Sequence, residues 1–306
     1  MLYELVLTPQ VFEKINLEEI PNQWYRETLE ILKASSKNGI IISLNKDEWI
    51  RESLIRLNYL SPHLKDKILS LFKRLKDANL IVKIPKSTIN ASSESEWIAV
   101  ANDSQNGIPF GMIVATQHIN EQIYTPIEMI DSEIWEEKNQ PTLYIEQSEA
   151  NMEKHLATFL RYAQKIQIID PYFNIQKGRY KKSLEIISRL FSSRRGFKMG
   201  RSIVIHCKYD EFVTNEANYT ALWKQMKEDI FKTYGHTCMI YIWKESDKKM
   251  HDRFIITDQF GLSIGAGLDI REQNKTSWSL IDNNTKSEVL KDYQENSSPF
   301  KLIKII

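Results

Sequence analysis

The sequence predicts an α/β protein of two domains, and two observations support this prediction. Short apolar, β-branched runs alternate with longer segments whose apolar residues recur every three or four positions, as in strands connected by helices that cover a sheet. The chain of 306 residues is also long enough for two domains of ordinary size. The polar segment 136–141 is typical of a linker, so we expect one domain at residues 1–140 and another at residues 141–306.

The first domain is predicted to be a parallel sheet covered by helices. Asn45 is the predicted N-cap of the helix after the second strand, because Glu48 follows three positions later. Pro62 is suited to the first turn of the next helix. The predicted strands are residues 3–7, 40–44, 80–84 and 111–116, and helices after Pro9 and at 24–35, 45–57, 62–75 and 94–102 connect them.

This order of strands and helices resembles a PIN-type nuclease domain, although a generic small α/β domain fits it too. The resemblance implies one or two Mg²⁺ ions, held by carboxylates at four places. The first place offers Thr8 and Pro9, and the last offers Thr116, Gln117 and His118. Only the middle places keep acids, which are Asp47, Glu48 or Glu52 and then Glu94 or Glu96. Because Mg²⁺ prefers carboxylate oxygens, we expect a PIN-like fold without a metal site.

The distribution of charge and the number of cysteines limit the classes of protein to which this chain can belong. Residues 1–140 contain 15 Lys and Arg against 20 Asp and Glu, a net charge of −5, whereas residues 141–306 contain 26 against 20, a net charge of +6. The second half is therefore the one expected to meet a polyanion. Cys207 and Cys238 are the only cysteines, which argues against a disulfide scaffold and a zinc site.

No apolar run is long enough to cross a membrane, and the first residues lack the pattern of a signal peptide. We therefore expect a cytoplasmic protein without a membrane span.

The second domain is predicted to contain a mixed sheet with helices. Its first strand is followed by Asp170, Pro171 and Tyr172, and proline stops the ladder because it lacks an N–H. Asp170 should therefore lie at the end of a strand, where open α/β sheets bind ligands. The predicted strands are 166–170, 202–206, 238–243 and 254–257, with helices at 148–164 and 218–233 and basic residues at Lys177, Arg179, Lys181, Lys182 and 194–198.

His251, Arg253 and Asp258 form an H-x-R-x4-D motif at the fourth of these strands. Alternate residues of a strand share a face, so the imidazole and the guanidinium can converge on one phosphate. The same spacing places His206 and Lys208 on one side of the second strand. The alternative is a surface strand end, in which His251 caps and Arg253 pairs with a neighbouring aspartate.

Four ordered elements, DPYF, IHCK, HDRFIITD and SIGAGLD, resemble single-motif phospholipase D-like domains over about residues 165–285. They are most similar to the C-terminal domain of MIT-domain proteins and to bacterial phospholipase D-like proteins of mobile elements and phage defence. The resemblance implies that His251, Arg253 and Asp258 are catalytic. It also implies phosphate contacts from His206, Lys208, Asp170, Tyr172, Gly265, Gly267 and Arg271.

Catalytic relatives use two histidines. One attacks phosphorus and the other protonates the leaving oxygen, without a metal or other cofactor. This chain has one motif, with Val213 where a second motif would have its aspartate, so catalysis would need a homodimer that brings two His251 side chains together. Arg253 replaces the family's lysine, and Gly265-Ala266-Gly267-Leu268 replaces its Gly-Ser-x-Asn turn. Arginine still binds phosphate, but with a different reach and shape.

Three functions therefore stay open. The first is a dimeric, metal-independent nuclease acting on DNA or RNA in a bacterial anti-phage or mobile-element system. The second is a non-catalytic module in which Arg253, Lys208 and Arg271 hold a phosphate of nucleic acid or lipid. The third is an assembly subunit built from degenerate nuclease folds, with other subunits of a defence system as partners. No amphipathic basic helix indicates membrane binding, so nucleic acid is the expected polyanion.

Overall fold

The chain divides into two compact units, Met1–Gln140 and Pro141–Ile306. The structure is a computed structural model that describes residues 2–15, 21–105, 110–193, 201–209, 216–246 and 248–306. The predicted α/β class is confirmed, because one sheet is parallel, the other is mixed, and helices connect the strands of both. None of the described helices combines the length and apolar character that a membrane span requires.

The first unit contains a five-stranded parallel sheet in the order β3-β2-β1-β4-β5. Its strands are β1 (Tyr3–Leu7), β2 (Gly39–Ser43), β3 (Ile81–Lys83), β4 (Met112–Val114) and β5 (Ile123–Tyr124). Its helices are α1 (Gln10–Lys14), α2 (Pro21–Asn38), α3 (Glu48–Leu57), α4 (Pro62–Asp77), α5 (Glu94–Asp103), α6 (Pro126–Ile130) and α7 (Glu133–Asn139). Every residue of β1 and β2 is buried. This burial explains why both strands are predominantly apolar in the sequence and do not alternate between apolar and polar residues.

The prediction that Asn45 caps α3 is wrong, because Asp47 occupies the N-cap position. Asn45 has a left-handed backbone with φ of 51°, a conformation that asparagine tolerates better than most residues. Its side chain accepts a hydrogen bond from the Ser87 N–H at 2.8 Å and donates one to the Ile89 carbonyl at 3.2 Å. Asn45 therefore holds the loop that follows β3.

Glu94 lies where the strand order of the first sheet reverses, the place where open α/β sheets commonly bind ligands. Thr8 follows β1, and Thr116 follows β4. One Glu94 carboxylate oxygen accepts hydrogen bonds from the Thr8 hydroxyl and the Thr116 N–H, both at 2.7 Å. The other accepts from the Thr116 hydroxyl. Groups of this chain therefore already satisfy the carboxylate.

The other acids that the PIN resemblance singled out also have partners within the first unit. Asp47 pairs with Lys83, Glu48 with Lys86 and Glu52 with Arg56, while Glu96 completes the capping box of α5. Hydrogen bonds from Ser93 and Ser92 lower the pKa of Glu96 to about 2. Across the described residues, no group of three or more His, Cys, Asp or Glu side chains is arranged to hold a metal ion.

The second unit contains an eight-stranded mixed sheet in the order β13-β9-β8-β7-β10-β11-β12-β6. Its strands are β6 (Thr142–Gln147), β7 (Lys165–Ile169), β8 (Arg201–Lys208), β9 (His236–Lys244), β10 (Phe254–Thr257), β11 (Gly261–Ile264), β12 (Arg271–Ile281) and β13 (Lys301–Ile305). Its helices are α8 (Glu149–Arg161), α9 (Gly178–Ser192), α10 (Glu216–Met226), which continues as a π-helical turn at Lys227–Lys232, and α11 (Asn283–Asp292). Ile255 and Ile256 lie in β10, as predicted, and both are buried.

Because the sheet of the second unit contains both parallel and antiparallel strands, the ends of many strands lie at the same edge of the sheet. β7, β8 and β9 are parallel, whereas β10 is antiparallel to β7, so Ile169 at the end of β7 lies beside Phe254 at the start of β10. The carboxyl ends of β6 and β11 and the amino end of β12 reach the same edge. We call it the cleft edge.

We expect Glu94→Ala to lower the free energy of unfolding by about 1–3 kcal/mol, because the buried Thr8 hydroxyl and the Thr116 N–H lose their acceptor. Urea denaturation would measure the change. Glu121→Ala, which removes an exposed carboxylate, is the control and should change stability by less than about 0.5 kcal/mol.

Mg²⁺ or Mn²⁺ should leave the melting temperature of the wild-type protein unchanged, because an ion stabilises a protein only when it binds the folded state. A metal-dependent rise that Glu94→Ala abolishes would contradict the expectation that this unit lacks a metal site.

Candidate functional site

The cleft edge brings together most of the residues that the phospholipase D resemblance singled out. They come from five different strand ends. Asp170 and Tyr172 follow β7, Lys208 ends β8, Arg253 precedes β10, Gly265 and Gly267 follow β11, and Arg271 begins β12. The mixed direction of the sheet therefore makes one site from segments that are distant in sequence.

An ion pair between Asp170 and Arg253 forms the centre of this site. Asp170 is fully buried, and one of its carboxylate oxygens lies 3.5 Å from Arg253 Nε and accepts the Tyr172 N–H at 3.0 Å. Arg253 Nη1 donates to the Gly265 carbonyl at 2.7 Å. Burial raises the pKa of Asp170 to about 6, although the Tyr172 N–H and the Arg253 charge oppose the rise. These contacts fix the plane of the guanidinium.

Gly267 allows the turn after β11 to approach this ion pair. It has φ of 86°, and a Cβ atom there would lie 3.0 Å from Asp170 Oδ2 and 3.1 Å from Arg253 Cδ. The Gln147 side chain at the end of β6 donates to the carbonyls of Gly267 and Asp269, at 3.3 and 3.2 Å. Sequence reasoning missed Gln147, which lies in no recognisable motif.

Tyr172 joins His251 to Arg253. Its hydroxyl lies 2.9 Å from His251 Nδ1, and the Arg253 guanidinium carbon lies 4.5 Å from the centroid of its ring. His251 and Arg253 both precede β10, so the expectation that a strand pleat aligns them is wrong. Contacts with Tyr172 bring the two side chains together.

Asp258 does not join this site. It follows the carboxyl end of β10, and its carboxylate accepts the N–H groups of Gln164 and Lys165 at 2.8 and 3.3 Å. Lys165 begins β7, so Asp258 lies at the edge of the sheet opposite the cleft edge. The assignment of Asp258 as catalytic is corrected to a structural role, in which it holds the chain entering β7.

His206 is a core residue and not a phosphate ligand. It is 2% exposed, its Nδ1 accepts the Trp243 Nε1–H at 3.1 Å, and its Nε2 lies 3.2 Å from Gln167 Oε1. Its ring stacks on Tyr241 with centroids 5.1 Å apart. Burial lowers the pKa of His206 to about 3, so the ring is neutral near pH 7. The predicted phosphate contact of His206 is therefore wrong.

Glu245, which the sequence did not single out, connects Lys208 to the chain that precedes His251. Its carboxylate lies 2.8 Å from Lys208 Nζ and accepts the Met250 N–H at 2.9 Å. The hydrogen bond from Lys208, followed by that from Met250, lowers the pKa of Glu245 to about 2. Glu245 is therefore ionised near pH 7 and holds this loop.

Arg271 and Arg179 share the buried carboxylate of Asp269. Both Nε atoms approach Asp269 Oδ2, and the Arg179 contact is 3.0 Å. Asp269 is 1% exposed, and a buried carboxylate needs such cationic partners to offset its desolvation. The pair of arginines is therefore anchored at the cleft edge.

These residues border a cleft of about 740 Å³. Its lining contains one carboxylate, from Glu245, and seven cationic side chains, from Lys177, Arg179, Lys208, Lys244, Lys249, Arg253 and Arg271. When Asp170 and Asp269, the buried partners of Arg253, Arg179 and Arg271, are also counted, seven cations still exceed three carboxylates. An excess of positive charge in a concave site raises the local concentration of anions. The basic cluster 194–198 and Val213 lie outside the described residues.

Comparisons with known proteins assign no family. No family model and no curated protein matches the chain. The structure of TrmBL2, an archaeal chromatin protein that "shows a novel mode of DNA binding", is 12% identical over 95% of this chain and 99% of its own, with a TM-score of 0.28. Argonaute of A. aeolicus is 13% identical over 99% of this chain and 45% of its own, with a TM-score of 0.16. At these TM-scores neither likeness indicates a shared fold or function.

Gly267→Ala should lower the free energy of unfolding by about 1–3 kcal/mol, because a left-handed backbone is strained in alanine and the new methyl group meets Asp170 and Arg253. Gly178→Ala is the matched control, since a Cβ atom there has no atom within 4 Å. Urea denaturation of both variants provides the measurement. Equal stabilities would show that the turn does not need a glycine at position 267.

Proposed function

We propose that the second unit binds phosphodiester groups of nucleic acid in the cleft. The observation that supports this proposal most is the lining of seven cationic side chains and one carboxylate. Neutralisation of backbone phosphates by lysine and arginine dominates the affinity of proteins for nucleic acid. A cleft of this charge is therefore suited to a phosphate backbone.

The cations of the cleft differ in how firmly they are held. Arg253 has two fixed contacts, with Asp170 and Gly265, and a guanidinium fixed in this way can recognise a phosphate with directional hydrogen bonds. Lys177 and Lys249 are exposed, and lysine acts as a compact charge on a flexible stem. We propose that Arg253 positions one phosphate and that the lysines neutralise its neighbours.

The start of α9 adds to this electrostatic environment. α9 begins at Gly178, its first turn has no acidic residue, and Lys177, Arg179 and Tyr180 from this turn line the cleft. The N-terminus of a helix has a partial positive charge because its first N–H groups lack partners within the helix. This charge has the same sign as the cleft.

We expect labelled single-stranded and duplex oligonucleotides to bind with an affinity that falls as salt rises from roughly 50 to 200 mM, because binding releases condensed cations. Each lost phosphate contact reduces the slope of log K against log salt by about 0.7 for a single strand and 0.9 for a duplex. The double variant with Lys177→Gln and Lys249→Gln should therefore show a slope that is lower by about 1–2. Fluorescence anisotropy would measure it.

Lys165→Gln is the matched control, because Lys165 is exposed and begins β7 at the edge opposite the cleft edge. An equal loss of affinity in Lys165→Gln and the double variant would indicate diffuse surface charge instead of a cleft. No binding by the wild-type protein at the lowest salt would overturn the proposal.

A second candidate function, hydrolysis of the bound phosphodiester, is favoured by the contact between Tyr172 and His251. In the tautomer with a proton on Nδ1, the imidazole donates to the Tyr172 oxygen at 2.9 Å, and the lone pair of Nε2 can attack phosphorus. The exposed His251 lies beside Arg253, whose charge would stabilise the phosphorane. The bond from phosphorus to the leaving oxygen breaks as the bond to Nε2 forms, and this oxygen takes a proton from a second acid, for which we propose His251 of a second copy of the chain. Water then cleaves the phosphohistidine and restores the imidazole.

If hydrolysis occurs, His251→Ala should abolish cleavage in EDTA without loss of binding, because the nucleophile is the imidazole and no metal takes part. Arg253→Ala should lower the rate by about 10²–10³-fold, whereas Arg253→Lys should keep most of it. Gel assays of labelled oligonucleotides would measure the rates. Full activity of His251→Ala would exclude this histidine as the nucleophile, and absence of cleavage by the wild-type dimer would leave binding as the function.

A further inference from the structure

We infer that the cleft receives a flexible single strand of nucleic acid and stacks a base on Tyr172, rather than receiving a duplex. This inference rests on the proposed binding of phosphodiesters and adds the class of substrate. Three features of the cleft support it: its concave shape and size, an exposed aromatic ring within it, and cations in its lining that come from separate segments.

The shape of the site favours a single strand over a duplex. Proteins read a duplex with a helix or a pair of strands that enters its groove, whereas this lining is built from strand ends and the loops that follow them. Its volume of about 740 Å³ lies within the range of about 300–1,000 Å³ for pockets that enclose a small ligand. A flexible strand can place both a phosphate and a base inside such a space, whereas a rigid duplex can present only its outer phosphates.

Tyr172 provides a surface on which a base can stack. Its side chain is 47% exposed, although its neighbours Phe173 and Tyr180 are each 4% exposed and pack against one another with centroids 4.8 Å apart. Arg253 covers one face of the Tyr172 ring at 4.5 Å. A base on the other face would extend this stack, and base–aromatic stacking tolerates any sequence. Tyr209 supplies a second aromatic ring to the same lining.

The cations of the cleft come from separate segments. Lys177 and Arg179 belong to the start of α9, Lys208 and Lys244 end β8 and β9, and Arg253 adjoins β10. A strand whose base stacks on Tyr172 would thus meet cations from several segments along its backbone. The combination of a cationic groove with stacking rings is typical of sites that bind single strands without sequence preference.

The test is competition against a short labelled oligothymidylate, measured by fluorescence anisotropy at low salt. The competitors are the unlabelled strand in DNA and RNA form, a duplex of equal length, and an abasic strand that keeps the phosphates and lacks the bases. We expect the abasic strand and the duplex each to compete about 5- to 150-fold more weakly than the unlabelled strand, which is the effect of one lost base–aromatic stack.

Two variants locate the stack. Tyr172→Leu should weaken binding of the normal strand about 5- to 150-fold more than it weakens binding of the abasic strand, whereas Tyr172→Phe, which keeps the ring, should retain most of the affinity for both. Tyr144→Leu is the control, because Tyr144 is 81% exposed on β6 and outside the cleft lining. Melting curves would confirm that both leucine variants fold.

The outcomes separate this inference from the proposed function. If the duplex or the abasic strand competes as well as the normal strand, or if Tyr172→Leu weakens normal and abasic strands equally, the single-strand inference is overturned and phosphodiester binding stands. If no oligonucleotide binds, both are overturned.

Discussion

The ion pair between Asp170 and Arg253 is the interaction on which the site depends. Tyr172 contacts both members, with its N–H on the carboxylate and its ring against the guanidinium, while Gly265 accepts from Arg253 and Gly267 leaves room for both side chains. Burial of the carboxylate is unfavourable, as the raised pKa of Asp170 shows. The arrangement nevertheless gives a long, flexible arginine one orientation, and a fixed guanidinium loses less conformational freedom when it binds a phosphate.

The two units differ in the residues that occupy the crevice beyond the carboxyl ends of the sheet strands. In the first unit, the crevice beyond the strand ends holds Glu94, whose carboxylate is satisfied by Thr8 and Thr116. In the second unit, the strand ends surround a concave space lined by seven cationic side chains and one carboxylate. A hydrogen-bonded carboxylate favours a closed, stable centre, whereas an excess of cations over carboxylates favours an anionic ligand. The binding that we propose therefore belongs to the second unit.

The sequence predicted those elements that depend on neighbouring residues in the chain. Apolar runs such as 166–169 and 254–257 lie in strands because these strands form the middle of a sheet and have buried residues. The predicted strand 254–257 lies between Arg253 and Asp258, but the sequence could not show that Asp258 binds the chain that enters β7. His206 could not be distinguished from a surface ligand, because its burial depends on aromatic residues of other strands. Glu245 and Gln147 were missed because their contacts depend on the fold and not on sequence neighbours.

The antiparallel insertion of β10 beside β7 also determines when the site can exist. Tyr172 and His251 are 79 positions apart in sequence, and the strands between them must be in place before the two side chains meet. Contacts of such long sequence separation form late and slow the folding of a domain. A ribosome-bound chain that ends before Arg253 would have most of the cleft lining but would lack Arg253, Ala266 and Arg271. The contact between Tyr172 and His251 and the ion pair between Asp170 and Arg253 can therefore form only after β10 has joined the sheet beside β7.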